Sequence, residues 1–142
     1  CRAISSSDLD VVSEWNRRLQ LDEGASPMEH PAILDRLQRW LDADYEGLLF
    51  EVAASPVGYA LFRPTDPDLK GPGGIYLRQF FIVPEHRRRG IGTEAFKLFL
   101  KTHVGHRRLV LEALASNPGG QMFWQSLGLA VYSTTLELAG GG

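Results

Sequence analysis

Cysteine is almost missing from this chain: Cys1 stands alone among 142 residues. That excludes an intrachain disulfide and a cysteine-based zinc site, and it fits a reducing compartment. Long apolar runs are missing too. None approaches the ~20 residues that a membrane helix needs, so the sequence predicts no membrane association and a cytoplasmic location. No leader peptide is visible, although the chain opens without methionine. Histidine is sparse, at His30, His86, His103 and His106. No pair has metal-ligand spacing on an apolar helix, and no metal is expected. Repeats and linker-like stretches are absent, which leaves one domain over residues 1–142, with 139–142 as a disordered tail.

Charge is nearly balanced, at −2, but unevenly spread. Eight acids lie between Asp22 and Glu51 against Arg36 and Arg39, and seven Lys or Arg lie between His86 and Arg108 against Glu94. Two solvated faces of opposite sign would explain this. So would an anionic ligand on one side and a cationic one on the other.

Periodicity orders the elements. Arg2–Ile4 reads as the end of a strand. Ser7 or Asp8 caps a helix with the stripe Leu9, Val12, Trp15, Leu19. Pro31 opens a second helix carrying Ile33, Leu34, Leu37, Trp40 and Leu41. Leu48–Ala53 and Val57–Arg63 form a hairpin joined through Ser55-Pro56. Residues 64–74, with three prolines and three glycines, form a loop. Ile75–Val83 is a central strand, with Ile75, Leu77, Gln79 and Phe81 on one face and Tyr76, Arg78, Phe80 and Ile82 on the other. Pro84–Arg89 is a connecting loop. A helix over Thr93–Val104 turns Ile91, Ala95, Leu98 and Phe99 inward. Arg108–Leu114 is a strand, Pro118 or Gly119 to Leu127 a short helix, Gly128 its C′ residue, and Leu129–Leu138 a last strand. The order β-α-α-β-β-β-α-β-α-β, a meander followed by a crossover, is α+β.

The run Arg87-Arg88-Arg89-Gly90-Ile91-Gly92 sits between a strand and a helix. Glycines there let backbone approach a ligand, helix-opening amides attract anions, and arginines add fork-shaped donors. Three readings compete. Gly90-Ile91-Gly92-Thr93-Glu94-Ala95 satisfies the dinucleotide fingerprint G-x-G-x-x-A, with Glu112 ~20 residues on. Against it, Pro84–Arg89 intervene after the strand and the preceding meander is not βαβ. A nucleic-acid patch is the second reading, but the chain is acidic and carries no accompanying DNA- or RNA-binding signature. The third is the pyrophosphate loop of an acyl-coenzyme A enzyme.

For that third reading the context is specific. The strand ends Phe80-Phe81-Ile82-Val83-Pro84-Glu85-His86. After the loop come Leu111-Glu112-Ala113, then Asn117, then Phe123-Trp124-Gln125-Ser126-Leu127-Gly128-Leu129. Across nearly its whole length the chain resembles the GNAT superfamily of N-acetyltransferases. The resemblance implies a mixed, partly splayed central sheet flanked by helices, and transfer of an acetyl group from acetyl-CoA to a primary amine by direct attack in a ternary complex. It implies that Phe81, Ile82 and Val83 pair with the pantetheine arm. Arg88, Arg89, Gly90, Ile91, Gly92 and Thr93 would hold the diphosphate, with Arg87 adding charge. Asn117 would bond the coenzyme arm, although it equally suits a helix cap, and Phe123 and Trp124 would complete the cofactor site. The acceptor would be the amino group of a small molecule or a peptide, and a homodimer is the assembly the family often shows.

Two departures stand out. Many members place a tyrosine before the Leu-Gly signature to protonate the leaving thiolate; here Trp124 stands there, and an indole N–H cannot do so. Gly120 and Gln121 open the short helix poorly. Catalytic candidates follow by resemblance. Glu112 matches a proposed base, and as a residue it also reads as a solvated or ion-paired strand position. Glu23 and Asp22 lie where the family builds its acceptor site and would orient a cationic amine. Gln79 would position water. Tyr132, Tyr76 and Tyr45 are spare phenols able to replace the missing acid. Trp15, Trp40 and Leu37 read as core or pocket wall. A non-catalytic acyl-CoA sensor, or a dinucleotide-dependent oxidoreductase, remain the alternatives.

Overall fold

The computed structural model describes residues 1–22, 26–66, 73–87, 90–112, 118–130, 136 and 138. The chain divides into two compact units, Cys1–Glu112 and Ala113–Gly142. In the first, β1 (Arg2–Ala3), α1 (Leu9–Asp22), α2 (His30–Asp42), β2 (Glu46–Val52), β3 (Ser55–Pro64), β4 (Ile75–Ile82), α3 (Pro84–Arg87), α4 (Ile91–Phe99) and β5 (Leu109–Leu111) follow in order. The strands form one sheet in sequence order. The first four run antiparallel to their neighbours, and β5 joins β4 in parallel. The architecture is the mixed α+β sheet that the order of elements predicts.

Two apolar layers hold the sheet. On one face Leu9, Val12 and Trp15 of α1 and Ile33 and Leu37 of α2 pack on Leu49, Tyr59, Leu61 and Phe81. On the other, Phe62 meets Phe99 edge-on at 5.0 Å, and Phe80 meets Phe96 at 5.9 Å. Rings in these orientations add about 0.5–1.5 kcal/mol per pair beyond the area they bury. The inward residues of α4 are Gly92, Ala95, Phe96 and Phe99, so Phe96 takes the place expected of Leu98, which is 37% exposed.

Several boundaries differ from expectation, each for a local reason. Helix α1 is entered through a 3₁₀ turn, Ser6–Asp8, capped at Ser5 and not at Ser7 or Asp8. The Asp8 carboxylate folds back to accept from the Ser5 N–H at 2.8 Å and from Arg2 at 2.8 Å. The β2–β3 hairpin turns at Ala53-Ala54, both at positive φ (51° and 66°), with Val52 opposite Ser55. Ser55-Pro56 therefore lies inside β3. The segment after β4 is not wholly loop, because Pro84 starts one helical turn, α3. Helix α4 gives way at Leu100–Val104 to a π turn, closed by Gly105 N–H to the Leu100 carbonyl at 2.8 Å. β5 ends at Leu111, before the predicted Leu114, and residues 113–114 lie outside the described residues.

In the second unit α5 spans Pro118–Ser126. Gly128, at φ 96°, ends it as the sequence predicts. Its N–H reaches the Gln125 carbonyl and that of Leu129 reaches Trp124, which satisfies two terminal carbonyls. Leu129, Ala130, Leu136 and Leu138 are not in a strand, and the rest of the predicted last strand and the 139–142 tail lie outside the described residues.

Candidate active site

Strand β4 carries the site. Its ladder with β3 pairs Leu61 with Gln79 but Phe62 with Leu77, so Arg78 is an extra residue, a β-bulge. The bulge overturns the simple alternation predicted for this strand. Gln79 and Phe81 face α1: Gln79 bonds Asn16, and Phe81 packs on Trp15. Leu77 is paired with Phe62, whose ring lies on α4, so Leu77 and Phe80 face the other layer. The parallel ladder with β5 covers only Ile75–Leu77, opposite Leu109–Leu111.

Beneath Gln79 lies a buried polar chain. Asn16 is fully buried and uses all four of its hydrogen-bonding positions. Its amide donates to the Gln79 Oε1 at 2.6 Å and the Tyr59 hydroxyl at 3.1 Å. Its Oδ1 accepts from Gln20 at 2.8 Å and Arg36 at 3.2 Å. Tyr59 also donates to Gln79 Oε1 at 2.8 Å. Two donors in this chain have no alternative orientation. The Met28 backbone N–H fixes Gln20 Oε1 at 2.8 Å, and a guanidinium can only donate. From these anchors the amides of Gln20, Asn16 and Gln79 are set in turn. The Gln79 oxygen is therefore turned inward and its NH2 outward.

A strip of arginines and aromatic rings runs from this chain across α2 and the sheet. The Arg36 and Arg78 guanidinium carbons stand 4.6 and 4.4 Å from the Trp40 ring centre. Arg78 also donates to the Tyr45 hydroxyl at 3.2 Å. Arg63 lies 5.4 Å from the Tyr76 ring and 5.9 Å from that of Tyr45. Burial, and next the Glu112 carboxylate, push the Tyr76 phenol above its ordinary pKa, so it keeps its proton well past neutral pH.

At the other end of β4 the chain passes through α3 to Gly90. Gly90 is left-handed, at φ 76°, and a Cβ there would meet nothing within 4 Å. Its carbonyl receives the Glu94 N–H at 3.0 Å, which starts the α4 ladder. The amides of Ile91, Gly92 and Thr93 precede that first bond and have no acceptor in the helix's own ladder. This mouth suits an anion such as a diphosphate. Among the described residues no group of three or more His, Cys, Asp or Glu could hold a metal ion.

The sequence profile of the acetyltransferase (GNAT) family matches residues 10–129. The chain belongs to the GNAT acetyltransferase family. No curated protein matches it in sequence. Solved GNAT folds resemble it closely in shape at low identity. A possible acetyltransferase from Clostridium difficile 630 superposes with a TM-score of 0.80 at 14% identity, over 99% of this chain and 95% of that one. An aminoglycoside 6′-N-acetyltransferase from Acinetobacter haemolyticus gives 0.75 at 14% identity, over 99% and 97%. A GCN5-related N-acetyltransferase from Ralstonia eutropha JMP134 gives 0.72 at 22% identity, over 99% and 98%.

Within this GNAT chain the expected residues fall into three sets. Gly90, Ile91, Gly92 and Thr93 form the mouth of α4, and Phe81 and Ile82 end β4 with buried side chains. The main chain of Val83 is engaged internally, its N–H on the Val57 carbonyl at 2.8 Å and its carbonyl under the His86 N–H at 3.0 Å. Glu112 is exposed, immediately after β5. Arg87 closes α3. Phe123 and Trp124 lie in α5, with ring centres 4.8 Å apart. Glu23, Arg88, Arg89, Asn117 and Tyr132 lie outside the described residues. Sequence reasoning missed Asn16, Tyr59, Arg36 and Arg63. The one readable signal was Asn16 itself, a polar residue one position beyond Trp15 on the inward side of α1.

Proposed function

We propose that the protein transfers an acetyl group from acetyl-CoA to a primary amine by direct attack in a ternary complex, as a single acetyltransferase domain. The open, left-handed Gly90 at the mouth of α4 carries this reading. Backbone amides there, with Arg87, Arg88 and Arg89, would take the diphosphate, and Phe81–Val83 would flank the pantetheine arm. Bound acetyl-CoA supplies a thioester whose carbonyl carbon accepts the amine. A lysine-like amine, with pKa about 10.4, must lose a proton before it attacks. Glu112 is the carboxylate proposed to take that proton. Glu23 would orient the amine, and the Tyr132 phenol would return a proton to the departing thiolate. Cys1 lies at the chain end, away from the motif, so no covalent acetyl-enzyme is invoked.

The indole of Trp124 supports a second reading, a non-catalytic acyl-CoA sensor. One experiment separates the two. Acetyl-CoA should raise the melting temperature, and Gly90→Val, which forces a β-branched residue to φ 76°, should erase the shift. Thiol release with an amine panel supports transfer; a shift without thiol release supports the sensor. A wild-type melting curve unmoved by saturating acetyl-CoA overturns both.

A further inference from the structure

The surface beside Gln79 is built from donors. Arg78 and Arg63 have no carboxylate within 4.0 Å among the described residues, although five other cation–carboxylate pairs form elsewhere. Neither guanidinium is loose: Arg78 rests on Trp40 and bonds Tyr45, and Arg63 rests on Tyr76. Both border the Tyr45 ring, at 5.8 and 5.9 Å from its centre. The adjacent Gln79 amide has its oxygen occupied twice from below, and no described group accepts from its nitrogen. Two fixed guanidinium forks and one fixed NH2 therefore share a single face of the β3–β4 ladder. Oxygen atoms of an anion are what such a group of donors recognises.

Resting on the acetyl-transfer reading, we propose that the acceptor is an amine that also carries a carboxylate, held by Arg78, Arg63 and the Gln79 amide. The Glu112 carboxylate acts on the Tyr76 phenol, and so do the Arg78 and Arg63 guanidiniums, so charges of both signs meet at this ring. A zwitterion matches that pairing of charges: its amine would answer Glu112 and its carboxylate the arginines. Of the eight acids between Asp22 and Glu51, Glu51 is paired with Arg2 and Asp35 with Arg39.

The test compares amino acids, α and ω, with alkylamines of equal length that lack the carboxylate. The wild type should favour the amino acids at least tenfold in kcat/KM. Gln79→Glu keeps an oxygen for Asn16 and Tyr59 but replaces the outward NH2 with a charged oxygen. It should lower the ratio at least tenfold, chiefly through KM, and Arg78→Gln should lower it in the same sense. Alkylamines preferred by the wild type, or a ratio unmoved in both variants, would overturn the proposal. Where no amine is acetylated, the same panel is scored by thermal shift of the CoA-bound protein. Stabilisation by amino acids alone, lost in Gln79→Glu, would then uphold the carboxylate site while the transfer reading fails. No stabilisation would overturn the site.

Discussion

Asn16 is the residue on which the site's orientation depends. Fully buried, it ties α1 to β3, β4 and α2 through three hydrogen bonds, with a fourth from Gln20 in its own helix. Removing it would take one hydrogen bond each from the Tyr59 hydroxyl, the Gln79 oxygen, Gln20 and Arg36, and each such bond is worth about 0.5–1.5 kcal/mol. Asn16→Leu is expected to destabilise the protein by roughly 3 kcal/mol or more, read as a lower urea midpoint. It should also leave the Gln79 amide held by Tyr59 alone. None of this was legible in the chain. Tyr59 and Gln79 lie 43 and 63 residues from Asn16, and a sequence pattern reports neighbours a few residues apart. Gly90, by contrast, was legible because its role is local: a left-handed residue at the start of a helix.

Elements were read well where the rule was local and poorly where it was pairwise. The Gly128 stop and the long β4 strand both came through. The hairpin turn did not, because Ala53-Ala54 carries none of the usual turn residues. Two L-residues at positive φ are costly there, and a type I′ pair prefers Asn-Gly. Replacing Ala53-Ala54 by Asn-Gly should therefore raise stability by about 1 kcal/mol or more, seen as a higher melting temperature with the same m-value. The faces of β4 were misread for a related reason. Counting by twos assumes an unbroken ladder, and the bulge at Arg78 exists only in the pairing with β3.

At the scale of the whole molecule, the acid limb of stability has one identifiable source among the described residues. Arg2 and the Ser5 N–H hold the Asp8 carboxyl well below the usual carboxylate range. A depressed pKa stabilises the fold fully above the unfolded value of about 3.9 and ceases to do so as pH falls toward the folded one. Asp8→Asn should thus cost about 1–2 kcal/mol near neutral pH, and the gap from wild type should begin to narrow below about pH 4, closing only as pH nears the folded value. Denaturant titrations of both proteins from pH 7 to pH 3 would show it. Family and topology were readable over most of the length, since a glycine motif between a meander and a crossover repeats a known order. The acidic stretch Asp22–Glu51 gave no reading of the acceptor, since net charge counts Glu51 and Asp35 without the arginines that pair with them.

The bulge has one more consequence. Skip Arg78, and Tyr76, Leu77, Gln79, Phe80 and Phe81 alternate in perfect phase between the two layers, each facing as it does now. The hydrophobic interior is thus complete with a strand one residue shorter. The supernumerary position adds no apolar side chain to the core, and what it displays is a guanidinium laid on Trp40.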